Sequence, residues 1–270
     1  ISELETMFNK TYKKNKNMIG LDFNASILPP VITRNLLENP KWYTSYTPYQ
    51  AEISQGRLES LFNFQTMICE LTRLPISNCS FLDSGSASCE ALNMSYNYHK
   101  GTRDTFVCDI NVHPVIQKIL STRCEMLNID LKFDKMENID PLENYMGVLF
   151  SYPNVNGEVI LYEELIKELN KSKTTVISHN DIMSLLLYKP PGDIGVDISF
   201  GTTQRFGLPL WNGGPHSAFF SCNDDYLRLI SGRIVGKSIC KNNTECYRLA
   251  LQTREQHIRK DKATSNICTS

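Results

Sequence analysis

No lysine occurs between Lys189 and Lys237. That gap contains SFGTTQRFGLPLWNGGPH (199–216), a loop rich in glycine and proline that leads into the apolar run Ala218-Phe219-Phe220. A loop of this make-up at a strand end is suited to holding a ligand. Without a lysine, it excludes any chemistry that needs a covalent amine at that place. The chain also lacks Gly-x-Gly-x-x-Gly and Gly-x-x-x-x-Gly-Lys-Ser/Thr, which argues against the two common nucleotide cradles. It has no Gly-x-Ser-x-Gly elbow, no histidine pair at metal-ligand spacing, so no metal is assigned, and no Cys-x-x-Cys. No apolar run approaches the roughly 18 residues that span a bilayer.

What is present is ordinary for a globular protein. The 270 residues are 41% hydrophobic and 21% charged, enough for one large domain or two modest ones. The net charge of -1 supplies no global field toward nucleic acid or an anionic membrane. Nine cysteines at scattered positions, an odd count, read as buried reduced thiols in a reducing compartment. The chain starts at Ile1 and ends in a helix-like pattern. It is therefore expected to be an internal piece of a longer protein, with any targeting segment upstream.

Hydrophobic periodicity orders the elements. Residues 2–16 carry a weak helical pattern, and Pro29-Pro30 opens a short helix over 31–37. The aromatic stretch 41–50 follows, which either packs a loop on the core or lines a site. Ser54 is expected to cap a helix running to about Leu71, and the small-residue turn 84–86 starts another, to about Tyr98. From 105 the pattern alternates: strand 105–109, helix 114–120, strands 125–129 and 147–152, helix 162–169, strand 174–178. A helix near 182–187 and strands 197–200 and 217–221 complete it. This predicts an α/β fold with a mainly parallel central sheet flanked by helices. Beyond 223 the chain is expected to turn helical, with a polar linker at 237–245 and a charged helix face over 248–262. The units predicted are 1–75, a helical arm with the aromatic segment; 76–225, the large domain; and 226–270, the start of a helical region.

The loops after Asp109, Ser151, Ser178 and Phe200 are the expected ligand positions, at the carboxyl ends of strands. His113 and Asp181 lie there. Each either caps the helix that follows or faces a ligand. The turn Ser84-Gly85-Ser86 either caps its helix or offers N–H groups to an anion.

WYTSYTPYQAEISQGRLE (42–59), KPPGD (189–193), QRFGLP (204–209), GGPH (213–216), GRIVG (232–236), LQTREQHIR (251–259) and ATSNIC (263–268) together resemble the glycine cleavage system P-protein family, in its amino-terminal half or separate first subunit. The resemblance covers nearly the whole chain from about Gly20. It implies a fold type I pyridoxal phosphate (PLP)-dependent transferase architecture, duplicated and dimeric. It also implies glycine decarboxylation with aminomethyl transfer to the lipoyl H-protein. In that family the second half carries the aldimine lysine. The matching position here is Gln204, whose amide forms no Schiff base. This half then has no catalytic residue of its own, and PLP is bound covalently by the other half. The residues the resemblance places toward the site, at the contact between halves, are Tyr46, Tyr49, Gln50, Glu52, Ser84, Gly85, Ser86, His113, Asp181, Gln204, Arg205 and His216. Among them, Ser84, Gly85 and Ser86 mark a former phosphate cup, His113 the place of a ring that stacks on the cofactor, and Asp181 that of a carboxylate for its ring nitrogen. The expected partners are the lysine-bearing half, the H-protein and glycine. The location is the mitochondrial matrix for a eukaryotic source and the cytoplasm for a bacterial one.

The chain departs from the family at 20–30, where tyrosines are expected and Phe23 and Asn24 stand. It departs again at Ser84, where an acidic residue is expected. These departures keep a second reading in play, a non-catalytic paralogue that serves as scaffold or regulator of the active protein. A self-sufficient aminotransferase or desulfurase of the same fold needs the lysine that is missing.

Overall fold

The computed structural model of this chain describes residues 1–11, 20, 23–43, 49–209 and 216–251. In chain order its elements are α1 (Ser2–Thr11), α2 (Pro30–Leu37), α3 (Gln55–Thr72), β1 (Ile76–Ser77), α4 (Ser84–Tyr98), β2 (Thr105–Asp109), α5 (Pro114–Leu127), β3 (Asp130–Asp134), β4 (Gly147–Tyr152), α6 (Glu163–Lys171), β5 (Thr175–Asn180), β6 (Ile198–Thr202), β7 (Ala218–Cys222), β8 (Val235–Ile239) and β9 (Glu245–Leu249). Seven strands form one sheet in the order β1-β7-β6-β5-β4-β2-β3. The five strands from β6 to β3 run parallel, and β7 lies antiparallel between β1 and β6.

Strands β4 to β7 are buried along their whole length. A strand covered on both faces reads as a continuous run instead of an alternation, which is how these strands appear in the sequence. Alternate side chains enter opposite layers. Phe106, Leu149, Ile177 and Phe220 pack with Leu92 of α4 and with Ile116 and Leu120 of α5. Val107, Val148, Phe150 and Val176 pack with Ile166 and Leu169 of α6. Phe219 meets Ile68 of α3. Each such side chain removed from water contributes about 1.5–3 kcal/mol. The α/β architecture expected from the sequence is the one found. Cys79, Cys108, Cys124 and Cys222 are buried, and burial pushes the Cys79 thiol up to about 12.

Four expectations need correction. The strand expected over 125–129 is the end of α5. The helix continues through Cys124, which keeps the apolar face of Ile116 and Leu120, and stops only when Asn128 adopts a left-handed φ of 54°. The true strand, β3, is displaced onto Asp130, Lys132 and Asp134. It is an edge strand, mostly exposed, and charge on an edge blocks further pairing at the cost of any apolar signature. Near 182–187 there is only a 3-10 turn, Ser184–Leu186, before the prolines at 190 and 191. Beyond 223 the described chain makes only a 3-10 turn, Asp224–Tyr226, and then a β-hairpin, β8 paired with β9, whose tip lies in the polar stretch read as a linker. The charged stretch 248–262 begins inside β9, and its remainder from 252 is outside the described residues. Ser54 does precede α3, but its hydroxyl makes no capping bond.

A pair of glutamines on α3, beside the apolar packing of Val235, Tyr247 and Leu249, ties the hairpin to the body. The carboxamide of Gln65 donates to the Val235 carbonyl at 3.0 Å and accepts the Val235 N–H at 2.8 Å. Gln55 does the same to Tyr247, at 2.8 Å in both directions. Each amide therefore takes the place of one residue of a neighbouring strand, satisfying both main-chain groups.

Candidate functional site

Past the carboxyl ends of β5 and β6, three parts of the chain come together: the turn after β5, the loop around 202–208 with His216, and the extended residues 23–28. Asp181 opens the 3-10 turn. Its Oδ1 accepts the Met183 N–H at 3.0 Å, and its Oδ2 is held by the Arg205 guanidinium. Gln204, fully buried, projects from a 3-10 turn that follows β6. Its Nε2 donates to the carbonyls of Asn24 and Leu208, both at 2.7 Å, and lies 3.4 Å from Ser26 Oγ. Its Oε1 accepts the Asn24 N–H at 3.3 Å. Ser26 Oγ donates in turn to the Leu208 carbonyl at 2.6 Å. Thr202 Oγ1 accepts the Gln204 N–H at 3.1 Å and stands 3.4 Å from His216 Nδ1. The Phe23 ring lies against His216, centroid to centroid 5.1 Å.

Behind these residues Asn180 ties the strand ends together. Its Oδ1 accepts from the hydroxyls of Ser178 at 2.6 Å and Ser199 at 2.8 Å, while its Nδ2 donates to the Tyr152 carbonyl at 2.9 Å. Gly201 opposite has no room for a side chain, since a Cβ there would lie 2.0 Å from the Asn180 carbonyl oxygen.

The other positions singled out from the sequence have separate surroundings. His113 N-caps α5, accepting the Val115 N–H on Nδ1 at 3.4 Å. Upstream of it, Asp109 is buried, its Oδ1 accepting the Asn111 N–H at 3.1 Å, and burial holds its carboxyl above the usual range. Ser84 is the buried first residue of α4. Asp83 N-caps that helix by accepting the Ser86 N–H at 2.6 Å, so a carboxylate already stands at the positive end of the helix. Gly85 answers to packing, because a Cβ would lie 2.4 Å from Ile119 Cδ1 of α5. Tyr49 belongs to a cluster with Leu58, Cys79 and Val235, with the Arg233 guanidinium 5.2 Å from its ring centre. The Gln50 carbonyl accepts from Ile53 and Ser54 in a turn, and Glu52 is exposed. Tyr46 is outside the described residues. Thus Gln204 and His216 share one contact network through Thr202, and Arg205 pairs with Asp181 beside it; His113, Ser84 to Ser86 and Tyr49 to Glu52 each make their own. Sequence reasoning missed Asn180, Thr202 and the part played by Ser26. The available signal was polar residues inside otherwise apolar strands: Ser178, Asn180, Ser199 and Thr202.

Residues 1–270 match the family model described as "Glycine cleavage system P-protein". The chain belongs to this family. It is 48% identical over 263 residues to the mitochondrial glycine dehydrogenase (decarboxylating) of Pisum sativum, covering 97% of this chain and 25% of the pea protein. It is 48% identical over 269 residues to the glycine dehydrogenase (decarboxylating) of Prochlorococcus marinus (strain NATL2A), covering 98% of this chain and 28% of that one. The chain spans about a quarter of the length of these curated relatives and corresponds to their amino-terminal region. Among solved structures it is similar to a crystal structure of glycine decarboxylase (P-protein) of the glycine cleavage system, in inhibitor-bound form. There the TM-score is 0.88 at 31% identity, over 99% of this chain and 62% of that one. The fold is that of the PLP-dependent transferases.

Against that fold, the residues around Gln204 do not fit a covalently held cofactor. Gln204 has no nucleophilic amine, and its amide is fully engaged with Asn24, Ser26 and Leu208. The Asp181 carboxylate is engaged by Arg205 and the Met183 N–H. At α4, Asp83 takes the Ser86 N–H and would repel a phosphate.

Proposed function

We propose that this chain is the non-catalytic amino-terminal half of a glycine decarboxylase and works only when joined to a lysine-bearing half that holds PLP. The observation that carries this reading is that Gln204, which the resemblance sets against the lysine, is buried with its hydrogen-bonding capacity spent on the chain itself. The joined protein would remove carbon dioxide from glycine and pass the aminomethyl group to the lipoyl group of the H-protein. This half would supply shape at the contact between halves. Arg205, exposed and paired with Asp181, and His216, half-buried beside Thr202, are its candidates for facing that contact. Tyr46, Tyr49, Gln50 and Glu52 remain candidates on the resemblance. The location follows the relatives: matrix for a mitochondrial source, cytoplasm for a bacterial one. No helix among the described residues is long and apolar enough to cross a membrane.

The test is glycine-dependent exchange of carbon dioxide, with H-protein present, for this chain alone and for this chain paired with the lysine-bearing remainder of the pea relative. The expected result is no exchange from the chain alone and exchange from the pair. A well-folded pair that gives none overturns the reading.

A scaffold role draws support from residues 23 and 24. Where the family resemblance expects tyrosine hydroxyls, Phe23 offers a bare ring to His216 and Asn24 offers main-chain groups to Gln204. Under that reading F23Y/N24Y raises exchange from near zero. Full exchange before substitution excludes it.

A further inference from the structure

The missing amine explains why this half forms no covalent link to an aldehyde. It does not explain why Gln204 is completely buried. Residues 23–28 account for that. They pass over the 202–208 loop from Phe23 on His216, through Asn24 and Ser26 on Gln204 and Leu208, to Ile27, whose carbonyl lies 3.8 Å from where a Gly207 Cβ would be. We propose that residues 23–28 are a built-in strap closed over Gln204, where the family resemblance places the lysine, so that this half shuts out pyridoxal phosphate by occupancy and not only by lacking an amine.

The geometry makes a specific demand on a restored lysine. Three acceptors surround Gln204 Nε2: the Asn24 and Leu208 carbonyls at 2.7 Å and Ser26 Oγ at 3.4 Å. An ammonium has three donors and no acceptor. Three oxygens around it favour the charged form, which is not a nucleophile. With the strap in place, an amine introduced at 204 is therefore caged and unreactive. Only when the strap is loosened does it meet an aldehyde.

The proposal goes beyond the assignment as a non-catalytic half, and its test needs neither glycine nor a partner. Q204K and the strap-loosened F23A/S26A/Q204K are incubated with pyridoxal phosphate and then borohydride. A reactive amine condenses with the aldehyde with loss of water, and hydride from borohydride reduces the carbon–nitrogen double bond to a stable secondary amine. Peptide mass mapping reads the adduct at position 204, with surface lysines as internal controls. Labelling at 204 is expected to be at least tenfold greater in the triple variant. Equal labelling in Q204K alone overturns the proposal, because the slot is then open beneath the strap. No labelling in either variant also overturns it, because something other than the strap then closes the slot. A measurement on the unsubstituted chain guards against misfolded variants: amide exchange over 23–28 is expected to be at least tenfold slower than in a free peptide of that sequence. Equal rates would mean no strap is held.

Discussion

Gln204 grips Asn24 by both of its main-chain groups, donating to the carbonyl at 2.7 Å and accepting the N–H at 3.3 Å. Gln65 grips Val235 and Gln55 grips Tyr247 in the same manner. One carboxamide has one donor side and one acceptor side, which is what a strand residue offers its neighbour. The three clasps are alike in form, and they answer differently to substitution.

At Gln204, removal of the amide leaves the Asn24 N–H and the Leu208 carbonyl less satisfied inside a buried site. Q204A is expected to lower stability by about 2–4 kcal/mol in urea denaturation. Q204E is expected to be worse than Q204A at pH 8, because a carboxylate would face two carbonyl oxygens. Its folded-state pKa is raised by those oxygens, so its deficit shrinks as pH falls and the protonated acid becomes a donor. A Q204E deficit that is the same at pH 5 and pH 8 would contradict this arrangement.

The α3 clasps are predicted to hold the hairpin locally. Q65A unpairs the buried Val235 main chain and costs about 2–3 kcal/mol, while Q55A, half-buried, costs about 1 kcal/mol. Hydrogen exchange distinguishes this from general weakening. Protection is expected to fall in β8 and β9, with β4 and β5 unchanged until global unfolding.

Asp197 gives stability a pH dependence of its own. It accepts the Val176 N–H at 2.8 Å and Asn223 Nδ2 at 3.1 Å. Burial, opposed by those bonds and reinforced by nearby Asp225, pushes its carboxyl from an ordinary 3.8 up to about 6. The folded state thus binds the proton more tightly than the unfolded chain. Its contribution is complete below about pH 4 and is lost as pH rises through about 6. Denaturation midpoints are expected to decline over that window from this group. In D197N that component of the slope disappears, whatever the absolute stability. An unchanged slope would remove Asp197 as its source.

Two glycines make a matched pair. In G201A the new methyl meets the Asn180 carbonyl oxygen at 2.0 Å, a side chain against fixed main chain in the middle of a sheet. It should cost more than 3 kcal/mol or abolish soluble expression. In G56A nothing lies within 4 Å, and the helical residue gains propensity, so stability rises by about 0.5 kcal/mol. Thermal melting of both variants tests the close packing of β5 against β6.

The central sheet was legible because its strands are apolar runs of the right length separated by helices. Strand 105–109 and strand 147–152 have the bounds read from the sequence. The edge strand β3 was not legible, because exposure there selects charge over periodicity. The hairpin was hidden for a related reason: its partners lie far away in sequence, in the glutamines 170 and 192 residues upstream and in the apolar cluster with Leu58 that Val235 joins. At the site, Gln204 stood out by what it is not. Its actual partners, the main chain of Asn24 and Leu208, have no side-chain signature and so no trace in residue identity.

The clasps have a consequence for the order of folding. They close loops of 170 to 192 residues, and closing a long loop loses chain entropy before any contact repays it. The parallel strand pairs from β2 to β6 close much shorter loops. Although α3 and the strap are made early in synthesis, neither has its partner until the chain has been extended through residues 204–208 for the strap and 235–247 for α3. The amino-terminal layer is thus the last part to lock, and loss of a clasp should speed unfolding far more than it slows folding.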